Sequence, residues 1–413
     1  MDDPSAHVFY EDRIDVRRLL ASSGLREVVE TRTHGGVVAG RRSTHRTAPG
    51  FLEAPSRDPD EAGYPPASPK GLHAKWVAGL EAVVLDAGGL ASAGRIHPFW
   101  SARLVSFHQE IWVGSPGRKL GHDIRRGCRL EIRVQSGEEG SSQAAADLVI
   151  KPTGGQPPVL AAFERAFRRA EEKRSSPPTP RTGATTAVFV PGAAGIVAHE
   201  LIGHALEGDV VAQGRTWLRD GVELGTARPV TVIDDPRRGR GAWTLDDEGV
   251  AAREVLLIDK NRVAGSLLDR TSAAALGAAS TGHARRSSYL EAVRPRMGCT
   301  FIEAGDDEPL EIIRSTHEGL LIHRLVAGHT DPLTGRAAFV VSDADRIEDG
   351  TIAGRLGSFI LEIEGPEAWP SIDRVGHDLA FDTCVGTCVR DGQPLAVSVG
   401  APTIRIGVVR VRS

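Results

Sequence analysis

The sequence predicts an α+β protein: an N-terminal α/β lobe over residues 1–180, then a β-rich domain over 181–413 with one or two helices set into it. Three observations predict this. Residues 173–186 (KRSSPPTPRTGATT) separate a helical pattern from an apolar run and mark a domain boundary. Before that stretch, helical spacings and alternating runs are interspersed. After it, short apolar runs recur with turns such as Glu348-Asp349-Gly350 and Asp391-Gly392 between them. Gly (47) and Pro (25) are also plentiful among the 413 residues, which favours turns and short strands over long helices.

The elements follow in order. Residues 41–69 are rich in Pro, Arg, Ser and Gly without an apolar period and read as an irregular connection. Residues 74–86 and 159–172 carry apolar side chains at helical spacing, for example Leu160, Phe163 and Phe167. Residues 102–113 and 128–134 read as strands, with Leu130, Ile132 and Val134 on one face. Past the boundary, a strand at 186–190 leads through Pro191-Gly192-Ala193-Ala194-Gly195 into a helix at 196–206. Short strands are expected at 230–234, 255–259, 338–341, 359–363, 395–399 and 403–411.

Composition excludes several function classes. A net charge of −4 argues against a chain that coats nucleic acid or an anionic membrane, and 5% aromatics argue against a base-stacking platform. The acidic start MDDPSAHVFYEDR has no basic and apolar leader, and no long stretch is apolar enough to span a bilayer. Four cysteines cannot build a disulfide scaffold. A cytoplasmic protein with reduced thiols is expected. Cys128 and Cys299 sit beside Gly in strand-like surroundings and read as small buried hydrophobes.

The sharpest chemical feature is His199-Glu200-Leu201-Ile202-Gly203-His204 on the expected helix. Zinc peptidases of the H-E-x-x-H type place two imidazoles four residues apart, on one helix face. Here the second His is at i+5, about 140° away on a regular helix. Both rings can face one ion only if the helix widens, as in a π-bulge. Gly203 is the expected place for that distortion, because Gly tolerates unusual backbone geometry. The other reading of the same residues is a hydrogen-bonded core cluster. Glu207 and Asp209 follow; each is either a carboxylate behind a ligating imidazole or part of a solvated helix end. A catalytic zinc needs a third protein ligand, and either Cys384 or Cys388 would suit it.

HELIGHALEGD resembles the H-E-x-x-x-H motif of the TldD/PmbA metallopeptidase family. Further stretches match in the same order. They are Leu245 to Gly249 (I-D-D-E-G in the family); Gly282 to Tyr289 with Pro295-Arg296-Met297; Asp331 to Phe339 (D-x-x-T-G-x-x-x-F); Cys388 to Gln393 (C-G-K-D-G-Q); and Val399 to Thr403 (V-G-x-P-T). The resemblance spans about residues 187–406. It implies Cys388, not Cys384, as the third ligand to a single zinc ion per chain. It also implies an N-terminal α/β lobe and a twisted, barrel-like C-terminal domain carrying the metal helix. Because both His, the Glu and the Cys are kept, the chain resembles the active TldD-type subunit, which pairs with a TldE/PmbA-type subunit lacking the ligands. A heterodimer is therefore expected, with a homodimer as the alternative. The N-terminal region matches only around Phe9 to Asp12 and looks shortened, and Val389 and Arg390 stand where the family has Gly and Lys.

With that ligand set, Glu200 is the general base that takes a proton from water and returns it to the leaving amine. His283 and Tyr289 are the candidates to stabilise the developing oxyanion or contact substrate. An extended peptide could bind by adding to a sheet edge. The expected function is a zinc-dependent peptidase acting on unfolded or modified peptides. The alternatives are a hydrolase of one small peptide-like biosynthetic intermediate and, from a different class, a non-catalytic scaffold subunit.

Overall fold

Long alternating runs make the first part of the chain a sheet. The computed structural model describes residues 7–21, 26–39, 99–114, 121–136, 142–149, 159–173, 178–225, 227–382 and 386–412. Strands β1 (His7–Ala21), β2 (Arg26–Ala39), β3 (Phe99–Gly114), β4 (Gly121–Ser136) and β5 (Ser142–Val149) form one antiparallel sheet in the order β2-β1-β3-β4-β5. The strands expected at 102–113 and 128–134 are the middles of the longer β3 and β4. In β4, Ile132 and Val134 share a buried face, as the alternation requires. The first two strands escaped the pattern reading, because charged residues recur along both of them. The helix α1 (Val159–Lys173) packs on β4 and β5, with Ala166 and Ala170 buried one turn apart. The irregular stretch expected at 41–69 and the helix expected at 74–86 lie outside the described residues.

The chain packs into two units, Met1–Arg174 with Ser287–Ala292, and Ser175–Arg286 with Val293–Ser413. Within the first unit, buried Glu11 accepts hydrogen bonds from Gln109 Nε2 (2.9 Å) and the Tyr289 amide (2.8 Å). That carboxylate stitches the 287–292 segment to the sheet.

The second unit is built on a barrel. Strand Gly183–Phe189 runs parallel to Glu318–Asp331, which pairs antiparallel with Arg336–Glu348. Arg336–Glu348 pairs with Phe359–Glu364, that strand with Ile404–Arg412, and the last returns to Gly183–Phe189. Five strands thus close on themselves, which removes exposed edges. Arg336–Glu348 alternates buried and less buried positions along its first half. Phe339, Val341, Leu361, Ile363 and Ile404 join Phe189 and Ile322 in one continuous core. The hairpin between Glu318–Asp331 and Arg336–Glu348 shows why its residues are Asp, Thr and Gly. Asp331 accepts from the Leu333 amide (3.0 Å) and the Thr334 hydroxyl (2.8 Å), and Gly335 takes a φ of +72°. A second sheet carries Ala380–Asp382, Ser398–Ala401, Cys299–Ile302, Val232–Asp234, Val255–Asp259 and Arg262–Val263 in that order. Cys299 is fully buried there, and burial, with Asp234 and Asp235 nearby, pushes its thiol far up. It is a packing residue.

Candidate metal centre

The polypeptide leaves strand Gly183–Phe189 and turns at Pro191–Ala194 into a helical run with three geometries. Gly195–Ala198 is α-helical, His199–Gly203 is a π-turn, and His204–Leu206 is a tight 3₁₀ turn. The His204 amide bonds to the His199 carbonyl, five residues back. That is the widening the i+5 spacing demands, and it brings both imidazoles to one side. The rings stand edge to face with centroids 5.1 Å apart. The indole of Trp217 donates to the Leu201 carbonyl (2.9 Å), which satisfies an acceptor in the π-turn.

Gly203 has a role other than the expected one. Its φ of −57° and ψ of −58° are ordinary for a helix. What it provides is space: a Cβ there would collide with the sulfur of Met297, a buried core residue. The Met of the Pro295-Arg296-Met297 segment therefore packs directly on the helix between the two histidines.

The hairpin Thr387–Arg390 and Gln393–Ala396 brings Cys388 to the same point, 184 residues from His204. Ligand atoms of His199, His204 and Cys388 all lie within 4.8 Å of one another, and all three residues are buried. Cys388 Sγ is 3.4 Å from His204 Nε2. Ligands at ordinary zinc–nitrogen and zinc–sulfur lengths around a tetrahedral ion stand about 3.3–3.6 Å apart. Nδ1 of His199 is buried with no hydrogen-bond partner, an expensive arrangement within protein alone. Two imidazoles and a thiol with an unsatisfied buried nitrogen fit a borderline-soft divalent cation. Cys384 lies outside the described residues.

Electrostatics point the same way. Burial alone would push the Cys388 thiol up. The charge of His204 and hydrogen bonds with both imidazoles outweigh it and hold the thiol well below its usual range. Burial would pull His204 down, but Glu207 and Cys388 hold it well above the usual imidazole range. Burial would raise Glu207, and His204, Arg390 and Arg296 more than offset that.

Glu207 and Asp209 take different parts. Glu207, fully buried, accepts from His204 Nδ1 at 3.0 Å, which leaves Nε2 to face the thiol. Asp209 does not reach an imidazole. It holds Arg390 through two contacts, at 2.8 and 3.0 Å, and Arg390 in turn donates to Glu207 at 2.8 Å. Glu200 lies beside the cluster, its Oε2 3.9 Å from His204 Nε2.

Of the two oxyanion candidates, His283 is engaged elsewhere in the second unit. His283 is fully buried, with Nε2 3.2 Å from Asp234 and Nδ1 shared with Thr281. Both ring nitrogens are engaged in a buried network that ties the 281–284 segment to the second sheet, a structural role. Tyr289 belongs to the 287–292 segment of the first unit. One residue the sequence reading did not single out is Arg296. Its side chain is 1% exposed, and it donates to the Cys388 and Gln393 carbonyls at 3.0 and 3.1 Å. Its only sequence signal was membership of the matched Pro-Arg-Met segment.

Residues 182–413, more than half of the chain, match the PmbA/TldA metallopeptidase C-terminal domain. The chain belongs to the TldD/PmbA metallopeptidase family. Among this family member's relatives is a metalloprotease TldD homolog of Haemophilus influenzae, 29% identical over 323 residues, which cover 75% of this chain and 67% of that protein. A zinc metalloprotease TldD homolog of Saccharolobus solfataricus is 29% identical over 237 residues, covering 56% of this chain and 52% of the relative. The matched part thus spans between half and two thirds of these relatives. The crystal structure of TldE from Thermococcus kodakarensis has the same fold, with a TM-score of 0.68 at 16% identity, covering 99% of this chain and 96% of that one. Among the described residues, no helix of this TldD/PmbA member is long and apolar enough to cross a membrane.

Proposed function

We propose that this TldD/PmbA member is a zinc-dependent peptidase that hydrolyses amide bonds of unfolded or modified peptides. The observation that carries the reading is the convergence of His199, His204 and Cys388 within 4.8 Å, with Glu200 alongside. His199 Nδ1 or Nε2, His204 Nε2 and Cys388 Sγ would hold the ion. When bound, zinc supplies a lowered water pKa and a Lewis acid for the scissile carbonyl. Glu200 moves the proton, from water to the leaving amine. Glu207 keeps the His204 proton on Nδ1, so that ring donates its other nitrogen inward. The thiolate offsets part of the cation's charge and makes it a milder Lewis acid than an all-imidazole site. The protein works in the cytoplasm, where the thiol stays reduced, and as one half of a heterodimer with a TldE/PmbA-type subunit. A small peptide-like intermediate as the substrate is the second reading.

The test is zinc analysis of the purified chain, with peptide cleavage measured alone and with a TldE-type partner. Glu200→Gln should keep zinc and lose about 10²–10⁴-fold in cleavage rate. Wild-type cleavage by Glu200→Gln would remove Glu200 from the chemistry. Equal activity with and without the partner would remove the heterodimer.

A further inference from the structure

The hairpin that carries Cys388 is tied to the helix that carries His204 by two guanidinium groups, one buried and one half-buried, meeting one carboxylate. Arg390 sits on the hairpin itself, directly after Val389, and donates to Glu207 Oε2 at 2.8 Å while its other nitrogen reaches Asp209. Arg296 approaches from the opposite side in sequence. It donates to the Cys388 carbonyl (3.0 Å) and to the Gln393 carbonyl on the other strand of the hairpin (3.1 Å). Its Nε lies 3.9 Å from Glu207 Oε1, an oxygen that is buried with no hydrogen bond. One carboxylate therefore orients the His204 ring and receives the charge of both residues that grip the Cys388 hairpin.

The physical consequence is coupling. A short two-stranded hairpin is not rigid alone, so the position of Cys388 Sγ depends on what pins its backbone. Arg296 pins the carbonyl of the very residue that offers the thiol. Arg390 pins the end of the same strand. A fully buried Arg is costly unless its donors are met, and here they are met by the two strands whose position matters. We propose that Arg296 and Arg390 are positioning residues that set the thiol of Cys388 against the two imidazoles, through Glu207 as a shared anchor. The proposal rests on the metal reading of the His199, His204 and Cys388 cluster.

The test uses the full chain loaded with cobalt(II) or zinc. Cobalt reports thiolate ligation through a sulfur-to-metal charge-transfer band in the near ultraviolet, and chelator competition gives zinc affinity. Arg390→Gln should melt cooperatively yet bind zinc about 10–100-fold more weakly, the usual effect of removing a partner behind a ligand. Its charge-transfer band should be weakened or displaced. Arg390→Lys keeps the charge but not the paired contact to Glu207 and Asp209, and should fall between Arg390→Gln and wild type. Arg296→Gln should show the larger effect. If that variant does not fold, Arg390→Gln decides alone. Wild-type affinity and an unchanged band in folded Arg390→Gln would overturn the proposal while leaving the metal reading intact. A wild-type chain that takes up neither metal would overturn the metal reading and this proposal with it.

Discussion

Replacing Gly203 by alanine tests whether the helix between the two histidines is held against Met297. The backbone at 203 is helical, so alanine meets no dihedral strain, and its better helix propensity would favour the variant by about 1 kcal/mol. Against this, the new Cβ falls on Met297 Sδ and lies 3.2 Å from both Met297 Cγ and Cε. Met297 is 1% exposed within the main core, so it cannot swing into solvent. Overpacking of this kind costs about 1–3 kcal/mol. The net expectation is a destabilisation of up to about 2 kcal/mol, or up to roughly 8 °C in melting temperature for a unit of this size. Urea denaturation of Gly203→Ala, Met297→Ala and the double variant supplies the control. Met297→Ala alone leaves a cavity and costs about 2–5 kcal/mol. In that background the Gly203 change should become neutral or stabilising, a coupling of about 1–3 kcal/mol. If Gly203→Ala stabilises the otherwise wild-type protein by the propensity gain alone, the close approach to Met297 is refuted.

Other expectations can be checked with the same protein. Cys388→Ser should reduce zinc occupancy at limiting metal, because a hydroxyl is not deprotonated in place of a thiolate; full occupancy of Cys388→Ala would remove Cys388 from the ligand set. Glu248 tests a pH dependence away from the centre. Burial, with help from Asp269 and Asp246, lifts its carboxyl from 4.5 to about 7. The folded form then binds the proton more tightly than the unfolded chain, so wild type loses stability as pH rises from about 4.5 to about 7. Glu248→Gln cannot titrate, and its amide oxygen can still accept from the Arg270 amide, now 2.7 Å from Glu248 Oε2. Melting curves should show the variant gaining on wild type between pH 5 and pH 8; a difference independent of pH would contradict the raised carboxyl.

Much of the centre was legible because its demands are local. Two histidines at i and i+5 cannot serve one ion on a regular helix, so the spacing itself called for the π-turn that the structure contains. The pattern of short strands with Gly turns also foretold the β-rich domain. Other features were illegible for a shared reason. Glu207 and Asp209 are indistinguishable by type and by distance from His204. In the structure Arg390, from 181 residues further on, and Arg294 hold Asp209, while Glu207 lies on the ring and also accepts from Arg390. Gly203 lies in the π-turn but serves Met297's volume and not its own dihedrals, a distinction that a lone glycine does not announce. His283 matched a motif, yet its partners Asp234 and Thr281 are a buried network and not the cluster.

The sequence by itself determined the family, the composition of the donor set and the need for a widened helix, because motif order and residue spacing are properties of the chain alone. Tertiary structure decided that the Cys388 hairpin arrives at the histidines, that five strands close into a ring, and that one buried arginine, Arg296, clasps the Cys388 backbone. Those depend on contacts between segments far apart in the chain, where burial and charge pairing select among side chains that the sequence presents as equals.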